Sequence, residues 1–143
     1  MEEYDGAIGI VFRKRKEVEF LIIHNKKTGN NTFPAGGREK EENSSLKTIN
    51  REIREETGYE KSDYIIKPTP IIHTFIYGEK KKERANQTAK QPVYIAEIIS
   101  NKEPSPHDSD STIGGWYNYK MMREKLTFDD SKQILDKIMA LIK

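Results

Sequence analysis

Hydrophobic positions in the first part of the chain predict two strands. The segments AIGIVF (7–12) and EVEFLIIH (17–24) are rich in β-branched and aromatic residues, and the polar turn Arg13–Lys16 separates them. The stretch NKKTGNNT (25–32) is rich in turn-forming residues and predicts a loop. FPAGG (33–37) then leads into a segment with helical spacing.

That segment predicts a helix with capping signals at both ends. Asn43, Ser44 or Ser45 can provide the N-cap, because their side-chain oxygens accept hydrogen bonds from the first free backbone N–H groups. Gly58 is expected to end the helix, since glycine readily adopts the left-handed conformation of a C-cap. The predicted apolar stripe consists of Leu46, Ile49 and Ile53.

The second half of the chain alternates between strand-like and polar segments. YIIKPTPIIHTFIY (64–77) predicts strands with an edge or a bulge at its two prolines. The polar stretch 78–91 predicts a long loop, and PVYIAEII (92–99) predicts a further strand. A second loop is expected over 100–115, followed by a last short strand at WYNY (116–119).

The chain ends in a second predicted helix, which completes the pattern of elements. Thr127 and Asp130 resemble a capping box. The apolar residues that follow recur at helical spacing: Ile134, Leu135, Ile138 and Leu141. Strands, a helix, more strands and a helix indicate an α/β (α+β) layered fold. Without an internal repeat or a linker, residues 1–143 are expected to form one domain.

Composition narrows the classes of protein. Hydrophobic and charged residues each make up 34% of the chain, so a buried core is expected, and a net charge of +2 does not favour nucleic acid or membrane partners. The absence of cysteine excludes disulfides, zinc–thiolate sites and thiol nucleophiles. The acidic N-terminus and the short apolar runs indicate neither a secretory signal nor a membrane span, so a cytoplasmic protein is expected.

The first helix carries an acidic stripe, formed by Glu52, Glu55 and Glu56. Like charges at this spacing destabilise an isolated helix by roughly 0.2–0.5 kcal/mol per pair. One interpretation is a solvated face that pairs with nearby cations. Against it, Arg51 and Arg54 are expected on the other side of the helix.

The other interpretation is a cation site. The glycine pair just upstream, Gly36 and Gly37, can turn backbone carbonyls toward the first turns of the helix. Carboxylates and carbonyls suit hard divalent cations, above all Mg²⁺ or Mn²⁺. Such an ion can orient water for attack on phosphorus. The spacing alone leaves both interpretations open.

The same segment resembles the Nudix box, usually written G-x5-E-x7-R-E-U-x-E-E-x-G-U, where U is a bulky apolar residue. The match starts at Gly37 and runs through REIREETGY (51–59), at the correct distance from PAGG. The order of the surrounding elements fits as well. On this resemblance the chain is identified as a member of the Nudix (MutT-like) hydrolase superfamily over nearly its whole length.

The resemblance implies a Nudix fold, in which a mixed β-sheet lies between helices. It also implies Mg²⁺- or Mn²⁺-dependent hydrolysis of a nucleoside diphosphate linked to another group. Glu52 and Glu56 become the main metal ligands, with Glu55 and the carbonyl of Gly37 (or Gly36) as further ligands. Glu52 or Glu55 becomes the base, and Arg51 completes the catalytic set by anchoring the box through hydrogen bonds.

Two positions depart from the pattern. Asn43 stands where the family has its first glutamate, and asparagine cannot form the charge-assisted pair that glutamate forms. Glu42 can substitute through a small shift of the loop. Asn43 also motivates the alternative hypothesis of a weakly catalytic Nudix nucleotide-binding module. Tyr59 replaces an aliphatic residue and is expected to pack.

Outside the box, three segments most resemble dinucleoside polyphosphate (diadenosine tetraphosphate) hydrolases: GAIGIVF…EFLIIHNKKTGNNTFPAGG (6–12 and 19–37), VYIAEI (93–98) and KLTFDDSKQILDKI (125–138). Nucleoside triphosphate pyrophosphohydrolases, including those acting on oxidised nucleotides, are the alternative, and nucleotide sugars or an RNA 5′ end remain open. The predicted substrate contacts are Lys26, Lys27, Phe33 and Tyr77. Weaker candidates are Lys80–Lys82 and Arg84 for phosphates, and Phe75 and Trp116 for stacking on a base. His73 is expected to be a structural strand residue rather than a catalytic one, and Glu97 lies on a strand. Asp108 and Asp110 lie in the loop where the resemblance implies an additional acidic ligand or base. A monomer and a homodimer are both compatible with the sequence.

Overall fold

The computed structural model describes residues 2–76 and 88–142, which form seven strands and three α-helices. In chain order the elements are β1 (Gly6–Lys14), β2 (Val18–Asn25), β3 (Asn31–Thr32), β4 (Ala35–Gly37), α1 (Ser45–Thr57), a 3₁₀ turn (Lys61–Asp63), β5 (Tyr64–Ile76), β6 (Thr88–Ile98), β7 (Ser111–Tyr117), α2 (Tyr119–Lys125) and α3 (Asp129–Ile142).

The strands form one mixed sheet in the order β3-β2-β1-β6-β5, with β4 paired to β1 and β7 to β2. β1 and β6 are parallel and the other pairs are antiparallel. A shift in the β5–β6 register between Pro68 and Ile72 confirms the irregularity predicted at the prolines. Because β1 is central and covered on both faces, nearly all of its residues are buried.

Two hydrophobic clusters lie on opposite faces of the sheet. On one face, Val11 and Leu21 pack with Ile49 and Ile53 of α1. On the other, alternate strand residues pack against side chains of α2 and α3, among them Ile10, Phe12, Phe20, Ile22, Met122, Leu126, Leu135 and Ile138. The predicted α/β arrangement of a mixed sheet between helices is confirmed.

α1 begins and ends close to the predicted residues. Ser44 is the N-cap, and its hydroxyl accepts a hydrogen bond from the Lys47 N–H. Gly58 is the C-cap at φ +77°, and its N–H donates to the Arg54 carbonyl. Leu46 was wrongly placed in the buried stripe, since it is 41% exposed. Small polar residues, Ser45, Thr48 and Thr57, complete the buried face with Ile49 and Ile53.

The predictions near the C-terminus need three corrections. β7 begins at Ser111, inside the predicted loop, because the segment pairs with β2. Tyr119 starts helix α2 rather than extending a strand, and the Asn118 side chain caps that helix through the Met121 N–H. α3 begins at Asp129, and Leu141 is exposed. None of the helices in the described ranges is long and apolar enough to cross a membrane.

Candidate active site

β4 places a glycine pair against the acidic face of α1. It pairs with the start of β1, so that Gly36 lies opposite Ala7 and Gly37 opposite Gly6. A Cβ atom added at Gly36 would lie 2.2 Å from Cδ of Glu52. The absence of a side chain at Gly36 therefore leaves room for the Glu52 carboxylate between helix and strand.

Glu52 and Glu56 form a carboxylate pair in this space. The Ala35 N–H donates a hydrogen bond to Oε2 of Glu56 at 3.0 Å. Burial raises the pKa of Glu56 to about 9, and the hydrogen bond and charge of Glu52 act in the same direction. Burial also raises the pKa of Glu52, against the opposing effects of Glu56 and Arg51. The two carboxyl groups are hydrogen-bonded to each other.

Arg51 connects the other acidic groups. Its Nη1 donates to Oε1 of Glu52 and lies 3.3 Å from Oε2 of Glu55, while Nη2 donates to the Gly37 carbonyl at 2.7 Å. The expectation that Arg51 lies away from the acidic stripe was wrong, because its long side chain bends back over the helix surface. Its hydrogen bond to Glu42 is the main reason that the pKa of Arg51 lies above its usual range.

Glu42 takes the place of the family glutamate that Asn43 replaces. Nε of Arg51 donates to Oε2 of Glu42 at 2.8 Å, and Nη2 lies 3.2 Å from Oε1. The hydrogen bond with Arg51 contributes most to lowering the pKa of Glu42 to about 2. Glu42 thus forms the contact with Arg51 that the predicted substitution requires, while Asn43 is exposed.

Glu55 lies at the open side of the cluster, with 42% of its side chain exposed. Its backbone carbonyl accepts hydrogen bonds from the N–H groups of His107 and Asp108, at 2.8 and 2.9 Å. These bonds hold the loop before β7 against the end of α1. Asp108 thereby comes close enough for its charge to raise the pKa of Glu56, although its own carboxylate accepts from Asp110 and Ser111.

The donor set of the pair fits a hard divalent cation. Within residues 2–76 and 88–142, no three His, Asp or Glu side chains converge as a preformed metal cluster. The carboxylates of Glu52 and Glu56 do converge, and Mg²⁺ typically takes only one or two protein carboxylates beside water and substrate phosphates. A cation held between the two groups would offset the repulsion between their ionised forms. The predicted ligand Gly37 presents its carbonyl to Arg51.

A family model described as the NUDIX domain matches residues 3–138. The chain belongs to the Nudix family. A Nudix domain implies pyrophosphohydrolase activity, and its members typically bind a nucleotide and use a divalent metal. No curated protein matches this Nudix chain at a significant level.

Solved structures share the Nudix fold at low sequence identity. A binary complex of the C. elegans Ap4A hydrolase is similar with a TM-score of 0.75, 16% identity and 98% of each chain covered. The E. coli dihydroneopterin triphosphate pyrophosphohydrolase is similar with a TM-score of 0.74 and 9% identity, over 95% of this chain and 97% of that chain. The NUDIX domain of Shewanella oneidensis NrtR, complexed with ADP ribose, is similar with a TM-score of 0.76 and 11% identity. The similarity covers 100% of this chain and 90% of that chain.

Three of the predicted substrate contacts of this Nudix chain lie within the described residues. Lys26 and Lys27 are exposed after β2, and Nζ of Lys27 lies 3.5 Å from Asp110. Phe33 is only 3% exposed and packs in the core against the α2–α3 side of the sheet, so its predicted stacking on a base was wrong. Tyr77 lies outside the described residues, as do Lys80–Lys82 and Arg84.

The weaker candidates are dispersed over the molecule. Trp116 packs beside the α1 core, with the Arg13 guanidinium 4.3 Å from its ring centre. His73 contacts Gln91 and Asp130, which supports the structural role expected for it. Glu97 lies 3.9 Å from Lys14.

Two residues of the Arg51 network had no signal in the sequence. The Glu39 carboxylate lies 3.0 Å from Nε of Arg51, and the buried Thr48 hydroxyl donates to Glu42. Neither belongs to the fixed positions of the box, and their contacts depend on how the loop before α1 folds back. A single sequence does not show that path.

Proposed function

We propose that this Nudix protein is a Mg²⁺- or Mn²⁺-dependent hydrolase that cleaves a phosphoanhydride bond in a nucleoside diphosphate linked to another group. The observation that carries this proposal is the paired carboxylates of Glu52 and Glu56, in the space beside Gly36. Arg51 orients Glu52, and Glu42 in turn holds Arg51.

Glu52 and Glu56 would hold the cation, and Glu55 and the Gly37 carbonyl are proposed as further ligands. When bound, a divalent ion stabilises negative charge on phosphate oxygens and favours attack by water. The protein itself contributes the fixed direction of its carboxylates. Arg51 supplies that direction through its bonds to Glu52 and to the Gly37 carbonyl.

Glu55 is the proposed general base. Its carboxylate is more exposed than that of Glu52, at 42% against 13% of the side chain, and it makes only a 3.3 Å contact with Arg51. It can therefore reach a water molecule at the open side of the cluster. In the reaction a bond forms between the water oxygen and phosphorus, the bridging P–O bond breaks, and Glu55 accepts the water proton.

A dinucleoside polyphosphate is the proposed substrate class. The similarity in fold to the C. elegans Ap4A hydrolase over 98% of both chains supports it. Lys26 and Lys27 are exposed cations that would bind the phosphates further from the cleaved bond. Nucleoside triphosphates are the second candidate, because the E. coli dihydroneopterin triphosphate pyrophosphohydrolase is similar to nearly the same degree.

The alternative function, a weakly catalytic nucleotide-binding module, has less support than hydrolysis. Its motivation was the missing glutamate at Asn43, and Glu42 supplies the missing ion pair with Arg51. The NrtR domain complexed with ADP ribose still makes ADP-ribose a necessary member of any substrate panel.

The test is a substrate panel measured with Mg²⁺ and with chelator, with products separated by chromatography. The panel contains diadenosine polyphosphates, ordinary and oxidised nucleoside triphosphates, ADP-ribose, a nucleotide sugar and triphosphorylated RNA. We expect Mg²⁺-dependent cleavage of diadenosine polyphosphates, and loss of at least about 10³-fold in kcat for Glu56→Gln. Turnover that persists in chelator, or in Glu56→Gln, would contradict the proposed metal site.

A further inference from the structure

The loop glutamate of the active site is held from both sides. Oγ1 of Thr48 donates a hydrogen bond to Oε1 of Glu42 at 2.7 Å, and Nε of Arg51 donates to Oε2 at 2.8 Å. The two bonds engage different oxygens of one carboxylate. Oε1 also accepts a hydrogen bond from the Glu39 N–H at 2.8 Å and lies 3.2 Å from Nη2 of Arg51. Thr48 and the Glu39 backbone together therefore hold the carboxylate toward Arg51.

Tyr4 stands behind Thr48. Its hydroxyl lies 3.0 Å from Oγ1 of Thr48 and donates to the Ser44 carbonyl at 2.8 Å. Because the single hydroxyl proton of Thr48 goes to Glu42, the Thr48 oxygen is left as an acceptor for Tyr4. The Tyr4 proton is then shared between two acceptors in a three-centre bond.

The network is shielded from solvent at its inner end. Thr48 is fully buried, and Tyr4 is 5% exposed. Water therefore cannot take over the hydrogen bond of a missing hydroxyl without entering the protein. The Tyr4 ring is also covered, with the Arg38 guanidinium 5.0 Å from its centre.

We propose that Thr48, supported by Tyr4, is a positioning residue for hydrolysis. It touches no substrate atom, and it acts by holding Glu42 so that Arg51 directs Glu52 and the Gly37 carbonyl. Thr48 has this role because the glutamate that pairs with Arg51 is Glu42 and not residue 43. Glu42 precedes the position of the box glutamate by one residue, and the Thr48 hydroxyl, beside the Glu39 N–H, holds its carboxylate toward Arg51. The inference rests on the proposed function, because it assigns a role in that site.

The first test compares two substitutions of Thr48. Thr48→Val removes the hydroxyl at nearly constant volume, whereas Thr48→Ser keeps it. We expect Thr48→Val to lower kcat about three- to tenfold, the range of one hydrogen bond, with KM for the nucleotide changed by less than about twofold. The Mg²⁺ concentration for half-maximal rate should rise in parallel. Thr48→Ser should restore kcat to within about twofold of the wild type.

Thr57→Val is the matched control on the same helix. The Thr57 hydroxyl is equally buried, donates to the Ile53 carbonyl and accepts from the Tyr59 N–H, so it contacts no residue of the network. The two valine variants should lose similar thermal stability. Only Thr48→Val should lower kcat, because a purely structural hydroxyl would affect stability alone.

A double-mutant cycle tests the connection to Tyr4. Tyr4→Phe removes only the hydroxyl, and it should lower kcat in the wild-type background by about twofold or more. In the Glu42→Ala background the same change should have no further effect on kcat, because the connection to Arg51 is already broken. Tyr59→Phe, which removes a hydroxyl bonded to the Lys102 carbonyl, is the control for Tyr4→Phe.

A binding measurement separates this inference from the proposed function. Mn²⁺ binding to the free protein, measured by calorimetry without substrate, should weaken about three- to tenfold in Thr48→Val and remain unchanged in Thr48→Ser. If the wild type cleaves no substrate of the panel, the proposed function fails while this comparison still decides the inference. Equal Mn²⁺ affinity and equal kcat in Thr48→Val and Thr48→Ser would overturn it, as would an equal loss in Thr57→Val.

Discussion

At the scale of single residues, the position of a carboxylate matters more than its place in the sequence pattern. Glu42 is one residue earlier than the family glutamate, yet its carboxylate forms the 2.8 Å bond to Arg51. Asn43 is exposed and takes no part in the network. Arg51 therefore has an acidic partner in the loop although Asn43 stands at the glutamate position of the Nudix box.

This interpretation predicts opposite results for two neighbouring substitutions. Glu42→Gln removes a charge-assisted hydrogen bond, worth about 1.5–3 kcal/mol, so kcat should fall roughly 10- to 100-fold. Asn43→Glu adds a glutamate whose place is already filled, so kcat should change by less than about twofold. Steady-state rates of the two purified variants check both. A large gain in Asn43→Glu would mean that the natural site is impaired.

Gly36 offers a second prediction at this scale. An alanine Cβ there would lie 2.2 Å from Cδ of Glu52, and only that flexible carboxylate end would have to move. Gly36→Ala should therefore change the melting temperature little, while kcat and Mg²⁺ affinity fall at least about tenfold.

The neighbouring glycine gives the comparison for Gly36→Ala. At Gly37 the nearest atom to an added Cβ is the Asp5 carbonyl oxygen, at the ordinary contact distance of 3.7 Å. Gly37→Ala keeps its backbone carbonyl and should lower kcat far less. Similar losses in the two alanine variants, measured with the same substrate, would show that Gly36 does not make room for Glu52.

At the scale of elements, the end of α1 supports the loop that carries Asp108. Gly58 is the C-cap of the helix, with φ +77° and its N–H bonded to the Arg54 carbonyl. The Ser105 N–H donates a hydrogen bond to the Thr57 carbonyl. A Cβ at Gly58 would lie 2.1 Å from the Ser105 carbonyl oxygen. Because the added Cβ is attached to the backbone and the Ser105 oxygen is a backbone atom, neither can rotate away, and the helix end or the loop would have to move.

Gly58→Ala is therefore expected to lower the free energy of unfolding by at least about 2 kcal/mol, from left-handed strain and the contact with Ser105. Gly29→Ala is the matched control, because Gly29 has φ +76° and no atom within 4 Å of an added Cβ. It should cost about 1 kcal/mol, the strain alone. Urea unfolding followed by circular dichroism measures both, and equal costs would exclude the contact with Ser105 as a cause.

The helices and strands also show which elements the sequence pattern can predict. β1 was predictable because its central place requires apolar residues on both faces, and α1 because Ser44 and Gly58 are strong cap residues. The start of β7 was missed because STIGG lacks strand alternation. It becomes a strand by pairing with β2 through an irregular register, with Gly115 at φ +118°. α2 was missed because it has seven residues, of which only Met122 is buried.

The same limit applies to the site. The carboxylates of α1 follow from helical spacing, so their convergence was predictable. The direction of the Arg51 side chain and the burial of Phe33 were not, because both depend on contacts with residues distant in the sequence. Phe33 lies next to PAGG in the chain, yet it packs on the α2–α3 side of the sheet. A local sequence pattern can therefore predict which residue types lie on one helix face, but the tertiary fold determines which distant residues their side chains contact.

At the scale of the whole molecule, the protein keeps acidic groups partly buried, and this links its stability to pH. Glu56 has a pKa of about 9 in the folded protein against an ordinary value of 4.5. The folded state therefore binds more protons than the unfolded state between these values, so stability falls as pH rises through this window. Glu42 acts in a lower window, since its pKa lies at about 2 and its contribution grows as pH rises to 4.5.

We therefore expect the free energy of unfolding of the metal-free protein to decrease between about pH 5 and pH 9, by up to about 1.4 kcal/mol per pH unit for one proton. If the carboxylates hold Mg²⁺ as proposed, they bind it in their deprotonated form, so the stabilising effect of Mg²⁺ should increase over the same range. Urea unfolding at several pH values, with chelator and with Mg²⁺, measures both trends.

Glu56→Gln is the control for this prediction, because it removes the titrating group while keeping the shape of the side chain. Its stability should depend much less on pH, and Mg²⁺ should add little at any pH. If the metal-free wild type instead became more stable from pH 5 to pH 9, the pKa of Glu56 would not be raised in the folded protein. The pair would then be ionised without a cation, and the expected competition between protons and Mg²⁺ for these carboxylates would be contradicted.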